Sequence, residues 1–219
     1  MVTLEMIVTN EEIRTYIAKG NQNLGVLGIT EHAFAHAKKA SDTAGMILEE
    51  LGYDVREVEL ARIAGFMHDM GNCVNRTDHA HTGALMAMQI LREMGMVPAE
   101  VAVIAAAIGN HDEKTGTAVD AVSAALILAD KTDVRRSRVR GRDKTRFDIH
   151  DRVNYAAISS VLEVDKKENV IALNIELDDA MCSVLDYFEI FLERMVMCRR
   201  AAEMLGCTFK MRANGAKVL

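Results

Sequence analysis

Residues 58–64 read VELARIA, and with Met67 they place Val58, Leu60, Ile63 and Ala64 on one stripe at helical spacing. The segment is therefore expected to fold as a helix with a buried face. It does not end in bland polar residues. The following stretch, GFMHDMGN (Gly65–Asn72), brings His68 and Asp69 to its last turn, then a glycine and an asparagine. Neighbours on a helix diverge by about 100°, because a turn takes 3.6 residues. Two adjacent ionisable groups can meet one partner only where the helix stops, and Gly71 is expected to release the chain there. The rest of the chain favours helices as well. It has one proline in 219 residues, fourteen methionines and only 5% aromatic residues, a composition for packed helices more than for a β-sandwich.

The net charge of −6 argues against a general nucleic-acid or acidic-membrane binder. The amino-terminal stretch lacks the pattern of a signal peptide, and the longest apolar runs, such as AVSAALILA, are far too short to span a bilayer. Cys73, Cys182, Cys198 and Cys207 show neither CxxC spacing nor a disulfide framework. A cytoplasmic protein with reduced thiols is expected, with no membrane partner.

Along the chain, Thr9 and Glu12 are spaced for a capping box that starts a first helix. Thr30 starts a second, closed by Gly52, and the third ends at His68-Asp69. HTGALMAMQILREMG follows as a fourth helix, Pro98 opens a fifth in its first turn, and AVDAVSAALILADKTDVRRSR is a sixth. A basic connection runs from Arg135 to Arg146. The pattern then changes: AISSVLEVD and VIALNIELD are β-branched runs around KKEN, which predicts a β-hairpin. A long helix from about Asp179 to Leu205 follows, with Val184, Leu185, Phe188, Leu192, Met195 and Val196 along one side. TFKMRANGAKVL adds a closing strand. The expected fold is mainly α, with a helical body over residues 1–149 and a small C-terminal α+β extension, a β-hairpin plus a long helix, over 150–219.

On this map His32 and His36 stand at i and i+4 on the second helix, His68 and Asp69 end the third, and His79 and His81 precede the fourth. His111 ends the fifth, and Asp130 closes the apolar AALILA. Imidazole and carboxylate donors together suit iron, manganese, zinc or nickel. Taken singly, each has a plainer reading. A histidine at a helix C-terminus complements the dipole. Asp130 needs a cationic answer if buried, from a metal, from Lys131 or Arg135, or from a cap.

The order of these residues changes the reading. His36, His68-Asp69 and Asp130, each on a separate predicted helix, resemble the H…HD…D signature of the HD-domain metal-dependent phosphohydrolase superfamily, whose core is all-α. HDMGN is similar to its HD-x-G-[NKH] element, and HAHTGA (His79–Ala84) to the H-x-x-x-G-A stretch. AAIGNHDE resembles the segment contributing a later histidine, and LADKTDVRRSR the A-D-x-x-D-x-x-x-x-R element; TEHAFAHA looks like a T-[DE]-H-x-x-x-H variant. The resemblance covers roughly residues 28 to 150.

It implies one or two divalent transition metals, one of them held by His36, His68, Asp69 and Asp130. By the same resemblance, His79 and His111 either hold a second with Asp69 bridging, as in binuclear members, or serve as acid or substrate contacts, as in single-metal members. His32 could replace His36 or stand behind the ligands. Asp112 and Asp133 are candidates for orienting histidines. Asp69, Lys131 and Asp133 are the candidate catalytic residues, and Arg76, Lys114, Arg135 and Arg138 the candidate phosphate contacts. The implied activity is hydrolysis of a phosphoester or phosphoanhydride of a nucleotide or other small phosphate compound. The rival is a regulatory module that binds nucleotide or metal without turnover. The basic segment reads as a phosphate-contacting loop, as a nucleic-acid strip or as a solvated loop, and it lacks the aromatics that would stack bases. The extension is expected to supply no metal ligand, and the face around Met195 and Met197 to make a homodimer contact.

Overall fold

A computed structural model describes residues 1–141, 147 and 149–218. A short helix, α1 (Leu4–Thr9), and a longer one, α2 (Glu11–Val26), open the chain, followed by α3 (Phe34–Leu51) and α4 (Val55–Met67). The capping differs from the expected Thr9–Glu12 box. Thr9 belongs to α1, and Asn10 caps α2 by accepting from the Ile13 N–H. α3 begins at Phe34 and not at Thr30, so His32 lies ahead of the helix and shares no helical face with His36. Gly52 does close α3, with φ of 85° in the left-handed region.

α4 is the centre of the body. Besides the expected stripe it buries Ala61, Gly65 and Phe66, because it packs against α1, α3, α6 (Pro98–Gly109) and α7 (Ala121–Lys131). A Cβ on Gly65 would lie 2.7 Å from the Ser41 Cα, so α3 and α4 cross almost backbone to backbone. A 3-10 turn over Met70–Cys73 leads from α4 to α5 (His79–Glu93), which therefore begins at His79 itself. α7 is buried from Val122 to Ala129 and stops at Lys131, well short of the basic residues expected to continue it.

A short helix, α8 (Ile149–Ala156), precedes the hairpin, where no element was expected. The hairpin forms as read: β1 (Ala157–Asp165) pairs antiparallel with β2 (Val170–Leu177). α9 (Val184–Met204) then carries the chain over to β3 (Thr208–Ala213), which adds parallel to β2, and β4 (Ala216–Lys217) turns back against β3. A parallel neighbour requires such a crossover. The final turn is Asn214-Gly215, both with positive φ, which suits a two-residue hairpin.

α9 buries Tyr187, Phe191, Met195, Met197, Cys198, Ala201 and Ala202. This is not the expected stripe, since Leu185 and Leu192 are exposed. α9 packs against α7, and its Tyr187 and Phe191 rings meet edge-on in the core. Met195 and Met197 are thus spent inside the chain and are not available as a subunit contact. One apolar core runs through the helices, β2, α9 and β3.

Candidate metal centre

α4 delivers His68 as its C-cap, still in helical conformation. Asp69 follows at φ −93° and ψ 2°, where the chain leaves the helix and enters the 3-10 turn. That change of path turns both side chains inward. Gly71 contributes differently from expectation. It does not adopt a positive φ; its missing side chain lets the turn press on the His79 carbonyl at the start of α5.

The donor atoms converge. His36 Nε2 lies 3.2 Å from His68 Nε2, 3.2 Å from Asp130 Oδ1 and 3.5 Å from Asp69 Oδ2. His68 Nε2 lies 3.3 Å from Asp69 Oδ2 and 3.6 Å from Asp130 Oδ1. Donors each about 2.1 Å from one ion, at tetrahedral or octahedral angles, stand about 3.0–3.4 Å apart. Beside this set, His79 Nε2 is 3.2 Å from His111 Nε2 and 3.7 Å from Asp69 Oδ1. His36, His68, His79 and His111 are all buried, and so is Asp69. Two groups, His36–His68–Asp130 and His68–Asp69–His111, have donor atoms close enough to hold a metal ion.

Each of the four histidines is tied from behind. His36 Nδ1 donates to Asp133 at 2.8 Å, His68 Nδ1 to the Gly65 carbonyl at 2.8 Å, His79 Nδ1 to the Arg76 carbonyl at 3.1 Å and His111 Nδ1 to the Ile108 carbonyl at 2.6 Å. A proton on Nδ1 leaves the Nε2 lone pair of a neutral ring facing the cluster, the arrangement in which metal-ligating histidines are held. Such lone pairs facing each other at 3.2 Å repel unless a cation or proton sits between them. Asp69 Oδ2 is buried there and has no hydrogen-bond donor among the described residues. A buried carboxylate oxygen without a donor is costly, and a divalent cation would supply what it lacks.

The electrostatics point the same way. Burial opposes charge on His68, yet Asp69 and Asp130 outweigh it and push the ring up to about 10. Burial opposes the charge on Asp130 also, but Lys131, His36 and His68 hold it well below the usual carboxylate range. Burial keeps His111 and His32 neutral to lower pH than usual. The cluster is short of positive charge.

The remaining candidates divide. Asp133 stands behind His36, gripped by Arg135 at 2.6 Å and 3.0 Å, and does not line the cavity; its position is an orienting one. Arg135 is consumed by that pairing and also stays outside the cavity, against the expected phosphate contact. Asp112 Oδ2 stands 3.5 Å from His79 Nδ1. Lys131 is buried between Asp130 Oδ2 at 2.8 Å and Glu113 at 2.7 Å. Arg76 Nη1 reaches Asn72 and His79, and Arg138 donates to the Glu31 and Asp133 carbonyls; both line the cavity, as do Lys114 and His32. His32 donates Nδ1 to Thr30 and stacks edge-on against His36, outside both donor groups.

The cavity above the cluster measures about 330 Å³. Its other wall comes from His150, Asn154, Phe191 and Arg194; the sequence marked His150 only as the histidine of the extension expected not to bind metal, and the other three not at all. Glu113 and Asn72 were missed too, although both lie inside recognised motifs; Asn72 Nδ2 donates to Asp69 Oδ1 at 2.8 Å. In the basic segment, Arg136 donates to the Tyr155 carbonyl and lies over its ring, and Arg140 reaches the carbonyls of Ile29 and Asn21. The arginines from 135 to 140 all bond within the chain, Arg140 from an exposed position; the expectation for residues 142–146 lies outside the described residues.

The chain is 32% identical over 106 residues to Ribonuclease Y from three strains of Clostridium perfringens, including strain 13 and SM101; the aligned part is 48% of this chain and 20% of the relative. The chain thus spans about a fifth of the length of these curated relatives. Among solved structures it resembles a predicted HD superfamily hydrolase from an uncultured Thermotogales bacterium, at 25% identity and a TM-score of 0.45, over 57% of this chain and 67% of the other. Residues 33–157, more than half of the 219, match the HD domain. They contain every histidine and carboxylate of the cluster, and the chain belongs to the HD domain family.

Proposed function

We propose that the chain is a metal-dependent phosphohydrolase that cleaves a phosphoester or phosphoanhydride bond of a nucleotide or another small phosphate compound. The observation that carries this reading is Asp69 Oδ2, buried without a donor among imidazole nitrogens whose Nδ1 atoms are already committed. His36, His68, Asp69 and Asp130 would hold one divalent ion. His79 and His111 would hold a second, with Asp69 shared between them. Iron, manganese, zinc and nickel all fit these donors. Bound there, such ions lower the pKa of a water and stabilise charge developing on phosphate oxygens.

The chain's own residues perform the rest. Asn72 donates to Asp69 Oδ1, the oxygen on the His79 side, and Lys131 to Asp130 Oδ2, and these contacts fix how each carboxylate is turned. Asp133 does the same for the His36 ring. Arg76 and Arg138 stand at the cavity with their orientation set by neighbouring acceptors, ready for an anion. The partial similarity to Ribonuclease Y favours a phosphodiester among the candidate bonds, and a cavity of about 330 Å³ favours a substrate of nucleotide size over a long strand. In this reading residues 1–149 form the metal-binding unit, and 150–219 form a subdomain that walls the cavity.

The test begins with elemental analysis of untagged protein. Metal-loaded wild type and Asp69→Ala are then incubated with a panel of nucleotides and sugar phosphates, and released phosphate or nucleoside is measured. One to two ions per chain, with turnover in wild type alone, supports the hydrolase. Metal and tight ligand binding with no product would establish the regulatory module instead. Equal rates in both proteins would place the activity outside this site.

A further inference from the structure

The cations around the cavity are not equivalent. Lys131 is saturated by two carboxylates, and Arg135 is closed onto Asp133. Arg76 and Arg138 each spend donors on the cavity's own frame. Arg194 differs. It comes from α9, outside the segment that matches the HD domain, and lines the same cavity. Its Nε donates to Glu113 Oε1 at 3.3 Å, and its guanidinium carbon lies 4.6 Å over the Phe191 ring. Phe191 is itself buried. Two contacts therefore fix the plane of the guanidinium, while Nη1 and Nη2 have no acceptor among the described residues. A fork held in one orientation with its paired donors open is suited to a phosphate or carboxylate.

Its place relative to the cluster is also defined. Glu113, which Arg194 grips, holds Lys131, and Lys131 holds Asp130. Arg194 is thus separated from the nearest candidate metal ligand by one carboxylate and one ammonium. Both the fork and the cluster face the same cavity, so a substrate with two anionic groups would meet both. We propose that Arg194 is a substrate-binding residue for a second anionic group, and that the extension thereby selects substrates carrying an anion beyond the phosphate held at the His–Asp cluster. This rests on the metal-centre reading above.

The test uses the full chain loaded with Mn²⁺ and three probes that a phosphoanhydride hydrolase cannot cleave, inorganic phosphate and the methylene-bridged analogues of pyrophosphate and tripolyphosphate, each titrated calorimetrically into wild type, Arg194→Gln and Arg194→Lys. Wild type should bind more tightly as the probe lengthens. Arg194→Gln should lose roughly 10- to 100-fold for the longest probe, the range for charge-assisted hydrogen bonds, while phosphate and Mn²⁺ affinities stay within about twofold. Arg194→Lys, which keeps the charge without the fork, should fall between. An unchanged length preference in Arg194→Gln overturns the proposal, and so does an equal loss for all three probes or a loss of Mn²⁺. Wild type that binds no Mn²⁺ would instead remove the metal-centre reading on which the proposal stands.

Discussion

The floor and the far wall of the cavity are both charged, but they are built differently. On the floor, His36, His68, Asp69, His79, His111 and Asp130 come from the match to the HD domain, and their outward atoms are committed to carbonyls, Asn72, Asp133 or Lys131. The histidine Nε2 atoms crowd one another on the inner side, and Asp69 Oδ2 among them has no hydrogen-bond donor among the described residues. The wall from α9 is anchored by packing: Tyr187 and Phe191 are buried, and Arg194 stands over Phe191 with donors to spare. The floor is rigid because its polar groups are paired, the wall because its apolar groups are. Damage to the floor should therefore change what binds and leave the fold, whereas damage to the wall should change the fold and leave the donors.

The sharpest separation comes from Asp69→Ala. It should remove metal at the shared position and take turnover to background, while circular dichroism remains that of wild type, because α4 is held by Val58, Leu60, Ile63 and Phe66. Unfolding of the variant would erase the distinction between floor and wall.

Phe191→Ala is the converse. Loss of a buried aromatic costs about 3–5 kcal/mol, which denaturant unfolding would show. Such a variant, where still folded, should keep its Mn²⁺ stoichiometry. Metal loss in folded protein would mean that the wall also shapes the floor.

Asp133→Ala should have an intermediate effect. Removing the acceptor behind His36 should weaken metal affinity by about 10- to 100-fold, with a smaller effect on melting, and calorimetric titration with Mn²⁺ would measure it. An unchanged affinity would mean that His36 needs no support from behind.

The smallest effect is expected at a charge cluster remote from both. Glu100 accepts from Arg56, which also reaches Glu59 and the Val2 carbonyl, and the Arg56 hydrogen bond lowers the Glu100 carboxyl below its ordinary value. A lowered carboxyl stabilises the fold above its unfolded value, about 4.3, and that contribution is lost as pH falls through the lowered value. Glu100→Gln should cost below about 1 kcal/mol at pH 7 and progressively less in acid, as thermal melts at several pH values would show. A constant difference down to the acid limit would assign the effect to packing instead.

What could be read without the structure was local. The stripe of α4, its end at His68-Asp69, Gly52 as a stop, Pro98 as a start and the β1–β2 hairpin are encoded within a few residues of where they act. The errors were local choices that packing decided. Asn10 caps α2 where Thr9 was expected, since Thr9 completes α1. α9 turns Tyr187 and Phe191 inward where Leu185 and Leu192 were expected, a rotation set by its packing against α7, which is distant in sequence.

The order of donors along the chain, His36 to His68-Asp69 to His79, His111 and Asp130, is a property of the sequence, as are the glycine that lets α5 press on the turn and the apolar runs that carry each donor to a helix end. The partners of those donors are not. His36 meets Asp133 across 97 residues and Arg194 meets Glu113 across 81, whereas Arg135 turns away from the cavity onto Asp133, two residues off. Helical periodicity and capping act over one or two turns and leave a record in neighbouring residues. Which cation faces a cavity depends on how helices far apart in sequence pack, and no spacing along the chain records that angle.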